Sequence, residues 1–581
     1  MNSPNPIDAI SQGRADLIAW RQSDDGNWYR GNAALVAMVE HFAPHAGAQV
    51  HSHLEHFGRQ VGASEGLVHR CSHDPNLPVL DRFDYLGRRQ ERVRFDASYH
   101  EWGKIIYGSG VMSVTGQAGR AVEQAVLMIL SAHHGEAGHT CPLACTAGMI
   151  KAIQRCGHPA LQKALLPGLL NPHYDRRLYG AQFLTEVQGG SDVGANATQA
   201  TLIGAETAEN PALWALTGEK WFCSVIDAPL YVLTARPDGA AAGTKGLGLF
   251  IVPHDLPQGR DVAQSPMSHT LFDTPREPNQ LTIRRLKHKL GTRAMASGEV
   301  DWQGARGWQL GPLDQGFHHV VDIVLNTSRL WNAMACCGML WRSYREASGF
   351  ARFRRAFGQP IGHFANTNAM VAQVFAEACA ATASTLDLVA IDAAGSDPDA
   401  VRLGLNMNKY WTSVRTTQMI RNAMEVIGGN AAIEDFTPLG RLYRDALVTE
   451  SWEGAHNVLI AQCWRDMQRL SLHRPWLDLL SRRAGELPMS SLQSALRQRL
   501  AVLEVDAAEL VASRNSDDAR SARAFVENAM VAHQGLCLAE LSQRAPTAID
   551  PAVPQQFLAV HPHRRAVAET GWWPERALLG Q

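Results

Sequence analysis

Apolar residues recur at helical spacing over residues 118–133 (AGRAVEQAVLMILSAH) and again over 142–156. Gly157-His158-Pro159 interrupts that pattern ahead of another short helix. Helical periodicity is expected from about residue 80 to 170, preceded by a polar, His-rich lead-in over 1–75. The pattern changes between about 175 and 310. Short apolar runs such as Tyr231-Val-Leu-Thr-Ala and Leu247-Gly-Leu-Phe-Ile-Val, bounded by Gly, Pro and Asp, read as strands. Helical spacing returns over 316–353, 363–394, 399–427 and 450–470, then over 491–513 and 518–544, before a tail containing Pro, His and Trp. A block of helices, a block of strands and a second block of helices is an α+β order, not the alternation of a doubly wound sheet. The expected division is 1–175 helical, 176–312 β, 313–470 a helical bundle, and 471–581 a helical extension. No internal repeat is visible.

Composition narrows the function classes. The chain has 581 residues, 45% hydrophobic and 19% charged, which excludes a disordered chain. Its 54 Lys and Arg against 56 Asp and Glu give a net charge of −2, so bulk charge does not favour a nucleic-acid binder. Only eight of the cations are lysines. The ten cysteines are scattered in apolar context, as expected of reduced thiols rather than a disulfide framework. The Met-Asn-Ser-Pro-Asn-Pro start lacks a secretory pattern, and no run of uninterrupted apolar residues reaches a membrane-spanning length. A cytoplasmic location without a membrane span is therefore expected.

Five segments carry chemistry. In Gly180-Ala-Gln-Phe-Leu-Thr-Glu-Val-Gln-Gly-Gly-Ser-Asp-Val, a strand-like run ends in a Thr and a Gly-Gly-Ser turn. Its glycines allow close backbone approach to a ligand. It is no dinucleotide fingerprint, because no G-x-G-x-x-G opens a helix there. Leu216-Thr-Gly-Glu-Lys-Trp-Phe-Cys-Ser reads as a hairpin turn and a strand carrying aromatics and a hydroxyl, Ser224. Lys289-Leu-Gly-Thr-Arg follows, and Arg354-Arg-Ala-Phe-Gly-Gln-Pro closes a long helix. Arginines there serve either the helix dipole or a phosphate. Last come Glu425-Val-Ile-Gly-Gly-Asn, Gly440-Arg-Leu-Tyr-Arg-Asp-Ala and Ser451-Trp-Glu-Gly-Ala-His-Asn. Glu453, between an aromatic and a glycine, has the setting of a poised base, since partial burial raises a carboxylate's basicity.

In order and spacing these segments resemble the acyl-CoA dehydrogenase flavoprotein superfamily, over roughly residues 80–470. Within it the chain is most similar to the alkylation-response AidB branch. Gly138-His-Thr-Cys-Pro-Leu, Trp-Phe-Cys-Ser in place of Trp-Ile-Thr, Glu425 in place of Gln, and the long C-terminal extension carry that likeness. The resemblance implies an N-terminal helical domain, a middle β-barrel or sandwich, a C-terminal helical bundle with the extension, and a bound FAD. It implies that Glu453 removes the α-proton of an acyl-CoA thioester while the β-hydride passes to flavin N5, with the Glu453 backbone N–H polarising the thioester carbonyl. By the same resemblance, FAD contacts Gln182, Leu184, Thr185, Gly190, Ser191, Phe222, Ser224 and Asn457. Arg354 and Phe357 reach the FAD of a neighbouring subunit, and Glu425, Gly428 and Gly429 lie over its adenine end. Ala356 and Ala455 depart from the usual Thr at their positions. A homotetramer, or at least a homodimer, is implied, with an electron-transfer acceptor such as an electron-transfer flavoprotein. A second function class stays open: an FAD-containing, DNA-associated stress protein with vestigial dehydrogenase chemistry.

Other motifs read more plainly. His51, His53 and His56 lack a Cys or acidic partner at a telling spacing, so no metal site is expected. Cys336-Cys337 reads as core. Residues 465–581 hold 14 Arg and no Lys against 13 acids, a net of +1, which is weak support for a DNA groove. A denser run, Arg284-Arg285-x-Lys287-x-Lys289-x-x-x-Arg293, reads as a solvated strand edge or a turn on the phosphate side of the cofactor.

Overall fold

The structure, a computed structural model, describes residues 6–257, 276–513 and 519–564. The last part of the Pro- and Trp-containing tail lies outside them. The polar lead-in is helical. It forms helices Pro6–Gln22, Ala33–Phe42, Ala48–Gly62 and Glu65–Ser72. Leu35, Met38 and Val39, then Leu54, Phe57 and Val61, are buried stripes that the surrounding polar residues obscure in sequence.

The start of the stretch expected to be helical from about residue 80 is corrected. Val79–Phe83 and Arg89–Arg94 pair as an antiparallel hairpin. Its turn closes because Asp84 Oδ1 accepts from Leu86 N at 2.8 Å and Arg88 N at 2.9 Å. Buried Glu91 accepts from Ile283 N at 3.0 Å and ties this hairpin to the β-domain. Helices Ala97–Gly108, Ala121–Ser131, Thr140–Cys156 and Pro159–Leu169 follow.

The β-domain closes on itself. Ser297–Gln309 pairs with Leu213–Ser224, which pairs with Gln199–Gly204, which pairs with Leu230–Pro237; that strand pairs with Gly248–Pro253, which returns to Ser297–Gln309. Gly180–Phe183 joins alongside Leu230–Pro237 in parallel, and Leu281–Leu286 joins on the other side. Phe183, Tyr231, Trp302 and Phe250 fill the interior. The Thr217-Gly218-Glu219-Lys220 stretch is not a hairpin turn but the middle of one strand. Gly218, at φ +150°, passes so near Thr198 that a Cβ would fall 2.7 Å from its Cα.

The second helical body comprises Asn326–Phe353, Ala365–Ala394, Pro398–Ile427, Leu439–Ser451 and His456–Leu470. A π-helical stretch, Val320–Leu325, leads into the first of these. Ala365–Ala394 is long and apolar enough to cross a membrane by length and composition, but 78% of its apolar window is buried inside the protein, as in a bundle core helix. The expected helix over 450–470 is broken at 452–455, and that break carries Glu453.

The extension, His473–Glu486, Ser491–Ala512, Ala519–Arg544 and Ala552–Val560, packs on this bundle. Arg483 and His533 both reach Asp387 Oδ2 at 2.7 Å, and Trp411 Nε1 donates to Gln534 Oε1 at 3.0 Å. All ten cysteines are free thiols, and Cys336 and Cys337 are buried in the core.

Candidate active site

Glu453 sits in the turn between helices Leu439–Ser451 and His456–Leu470, at φ +58°. Few non-glycine residues adopt that conformation, and it persists only where neighbours over-determine it. Gln182 Nε2, from the strand Gly180–Phe183, donates to Glu453 Oε1 at 2.7 Å and lies 3.1 Å from Ser328 Oγ. Arg329 Nε donates to the Glu453 backbone carbonyl at 3.0 Å, while its Nη1 donates to Asn406 Oδ1 at 2.5 Å. Burial pushes the Glu453 carboxyl up to about 7, against the opposing pull of Arg329, Lys409 and the Gln182 hydrogen bond. A half-buried carboxylate held near neutrality can accept and release a proton at physiological pH.

The other β-domain candidates follow Gln182 in chain order. Leu184 and Thr185 continue the Gln182 strand; the Leu184 carbonyl accepts from Asn196 Nδ2 at 2.8 Å and the Thr185 carbonyl from Trp221 N at 2.9 Å. Gly190 has no room for a Cβ, which would fall 2.4 Å from Thr185 Oγ1, and Ser191 is exposed at the tip. On the adjoining strand Phe222 is 57% exposed, unusual for an aromatic in a folded interior. Ser224 Oγ lies 3.1 Å from Ser297 Oγ.

The remaining cofactor candidates lie on the second helical body. Arg354, Phe357, Glu425, Gly428 and Gly429 are exposed where helices Asn326–Phe353 and Pro398–Ile427 end. Phe357 is 97% exposed, with its ring edge-on to that of Phe364 at 6.1 Å. Gly428 and Gly429 face open space. Asn457, four residues beyond Glu453, is engaged from the extension: Arg523 Nη2 donates to its Oδ1 at 2.7 Å, and Arg523 Nη1 to Tyr410 Oη at 2.7 Å.

Several residues that shape the site escape the sequence reading. Glu186, inside the first motif, is fully buried against Lys220 of the second, at 2.8 Å. Burial alone would raise its carboxyl, but Lys220, Thr198 and the Ala197 amide pull it down to about 2. Two exposed-looking motif residues are therefore the buried pin of the Gly-Gly-Ser turn. Arg329 and Lys409 are a second pair. The Lys409 ammonium donates to the carbonyls of Glu450 at 2.7 Å and Gly454 at 3.2 Å. Burial lowers Lys409 to about 8 and Arg329 to about 10. The third is a buried group behind Lys289-Leu-Gly-Thr. Glu136 N and Thr292 N donate to Asp445 at 3.0 and 2.6 Å, and Lys289 Nζ donates to the Thr292 and Met295 carbonyls at 2.6 and 2.7 Å. The partners of Asp445 are main-chain amides far away in sequence, which no motif spacing signals.

Four of the five cations in the basic run at 284–293 pair with carboxylates. Arg284 pairs with Asp301 and Glu219, Arg285 and Lys287 with Glu299, and Arg293 with Asp74. His51 bonds Tyr29 at 2.7 Å and His53 bonds Glu123 at 2.6 Å, so they do not converge. Asp387, His533 and Cys537 do converge, but Arg483 already fills that space with a cation.

Residues 181–304 match the acyl-CoA dehydrogenase middle domain, residues 314–468 its C-terminal domain, and residues 20–176 the adaptive response protein AidB N-terminal domain. The putative acyl-CoA dehydrogenase AidB of Escherichia coli is 30% identical over 74% of the chain and 75% of its own length. The chain belongs to the acyl-CoA dehydrogenase family. As such it is an acyl-CoA dehydrogenase-type flavoenzyme of AidB-like domain make-up. Acyl-CoA dehydrogenase family member 11 of Caenorhabditis elegans is 27% identical over 71% of the chain and 64% of that protein. Two solved structures share the acyl-CoA dehydrogenase fold closely. The Bd2924 apo-form has a TM-score of 0.78 at 24% identity, covering 89% of this chain and 98% of that one. C. elegans ACDH-11 in complex with C11-CoA has a TM-score of 0.75 at 22% identity, covering 89% and 88%.

Proposed function

We propose that the chain oxidises the CH–CH bond of an acyl-CoA thioester, with Glu453 as the base and FAD as the cofactor. The supporting observation is the Glu453 carboxylate, held by Gln182 at 2.7 Å and raised by burial to about 7. The residues present suit FAD. Phe222 offers an exposed aromatic face, Thr185, Ser191 and Ser224 offer hydroxyls, and Gly428 and Gly429 leave open space for close approach. When bound, FAD supplies the acceptor for the β-hydride.

Each step assigned to this chain is a placement or a proton movement. The Glu453 carboxylate takes the α-proton and becomes the neutral acid, while the electron pair left behind forms the new double bond as the β-hydride departs. The Gln182 amide holds Oε1 and leaves the other oxygen for the substrate. The Glu453 backbone N–H is the candidate donor to the thioester carbonyl, where negative charge develops. Arg329 fixes the same peptide from its carbonyl side.

The exposed set Arg354, Phe357, Glu425, Gly428 and Gly429 fits the reading that a second copy of the chain brings these groups to the cofactor, in a homotetramer. A cytoplasmic location and an electron-transfer flavoprotein as acceptor complete the proposal. Anaerobic titration of the purified yellow protein with a panel of acyl-CoAs tests it. Bleaching of the flavin by one chain class supports the reading; a flavin left oxidised by every thioester overturns it.

A further inference from the structure

We propose that Lys409 is a positioning residue for Glu453: its ammonium, bonded to main-chain carbonyls on both sides of the turn, fixes the direction in which that carboxylate faces the substrate. The inference rests on the reading of Glu453 as the base.

Lys409 lies in the middle of the helix Pro398–Ile427 and is fully buried. Burying an ammonium is costly unless it is fully bonded. Among the described residues its hydrogen bonds go to carbonyls and not to a carboxylate: Glu450 O at 2.7 Å, in the last turn of Leu439–Ser451, and Gly454 O at 3.2 Å. The first is a helix C-terminal carbonyl, where a cation is favoured by the dipole. The two acceptors bracket Glu453, and Arg329 holds the carbonyl of Glu453 itself at 3.0 Å. Two cations from two different bundle helices thus pin three carbonyls within five residues. The pinned segment is the one in which a non-glycine residue stands at φ +58°. A cation that merely filled the core would not need to straddle that residue.

The charge acts along with the bonds. Facing Lys409 and Glu453 are Arg329 and Cys336 of one helix, Glu450 of another, His456 beyond the turn and Cys141 of the N-terminal body. Of these, Lys409 and Arg329 favour the ionised form of Glu453.

Lys409→Met and Lys409→Gln, prepared as full-length flavoprotein, test the proposal by two readouts. The first is the protonated-carboxyl infrared band that disappears in Glu453→Gln, followed against pH without substrate. The second is stopped-flow flavin reduction by an acyl-CoA that bleaches the parent. Lys409→Met is expected to move the infrared midpoint upward and to lower the limiting reduction rate roughly 10- to 100-fold, with KM changed less. Lys409→Gln, which keeps a donor but no charge, is expected to regain part of the rate and none of the midpoint. It carries the test if the methionine variant does not fold. An unmoved infrared midpoint in both variants overturns the proposal, as does loss of thermal stability with an unchanged reduction rate. If no thioester bleaches the parent, the proposed activity falls, and the infrared midpoint still decides the role of Lys409.

Discussion

Gln182 and Glu453 meet at 2.7 Å across the junction of two bodies, one residue from a strand of the barrel and the other from a turn between two bundle helices, 271 positions apart. The hydrogen bond that holds the Glu453 carboxylate therefore exists only when barrel and bundle are docked.

Glu453→Gln should keep the fold and the flavin while losing reduction by substrate. The amide still accepts from Gln182 but cannot take the α-proton. The loss expected for a general base is roughly 10²–10⁴-fold or more, read by anaerobic stopped-flow absorbance. Reduction at the parental rate would remove Glu453 from the mechanism.

The same carboxyl gives a pH dependence of defined sign. Its value is raised to about 7 from 4.5, so the base form grows as pH rises and the reduction rate should climb through pH 7. The folded state binds this proton more tightly than the unfolded state, so the group's contribution to stability is present below 4.5 and is lost as pH rises to about 7. Glu453→Gln should accordingly melt higher than the parent at pH 8, with the difference closing at pH 5. Differential scanning calorimetry at the two pH values checks this.

Lys220→Met should leave the Glu186 carboxylate buried and unpaired. Breaking such a pair from one side costs about 3–5 kcal/mol, so the variant should unfold at lower denaturant and release flavin more readily. A parental denaturation midpoint would show that the pair does not pin the Thr185–Ser191 turn.

Glu425→Gln alters an exposed side chain near the end of the helix Pro398–Ile427. It should change flavin retention on dilution more than the rate of flavin reduction. The opposite ranking would place Glu425 near the reacting carbons.

Duplex DNA should bind only weakly at physiological salt, because four of the five cations in the densest run are already paired with Asp74, Glu219, Glu299 and Asp301. Fluorescence anisotropy between 50 and 200 mM salt tests this. Submicromolar affinity with a steep salt slope would restore the DNA-associated reading.

Contiguous motifs made much of the fold legible. The runs at 231–235 and 247–252 read as strands because short, continuous apolar runs bounded by Gly, Pro and Asp suit strands buried on both faces, and Trp-Glu-Gly stood out as a carboxylate between an aromatic and a glycine. The hairpin at 79–94 was hidden, since two short strands rich in Arg carry little apolar alternation and are fixed instead by Asp84 and Glu91. The break before His456 was hidden as well, because its cause lies in Lys409 and Arg329, which precede it by more than forty positions. A buried cation whose partners are peptide carbonyls leaves no side-chain pattern to read.

Arg523 binds Asn457 and Tyr410, so the extension grips the first turn of the helix that begins just after Glu453. Local opening of the helix Ala519–Arg544 would then free that turn as well. Amide protons near 456–460 and those near 522–530 should exchange with deuterium as one cooperative unit, and a cut within the extension should be felt first as a loosened active-site turn rather than as a lost appendage.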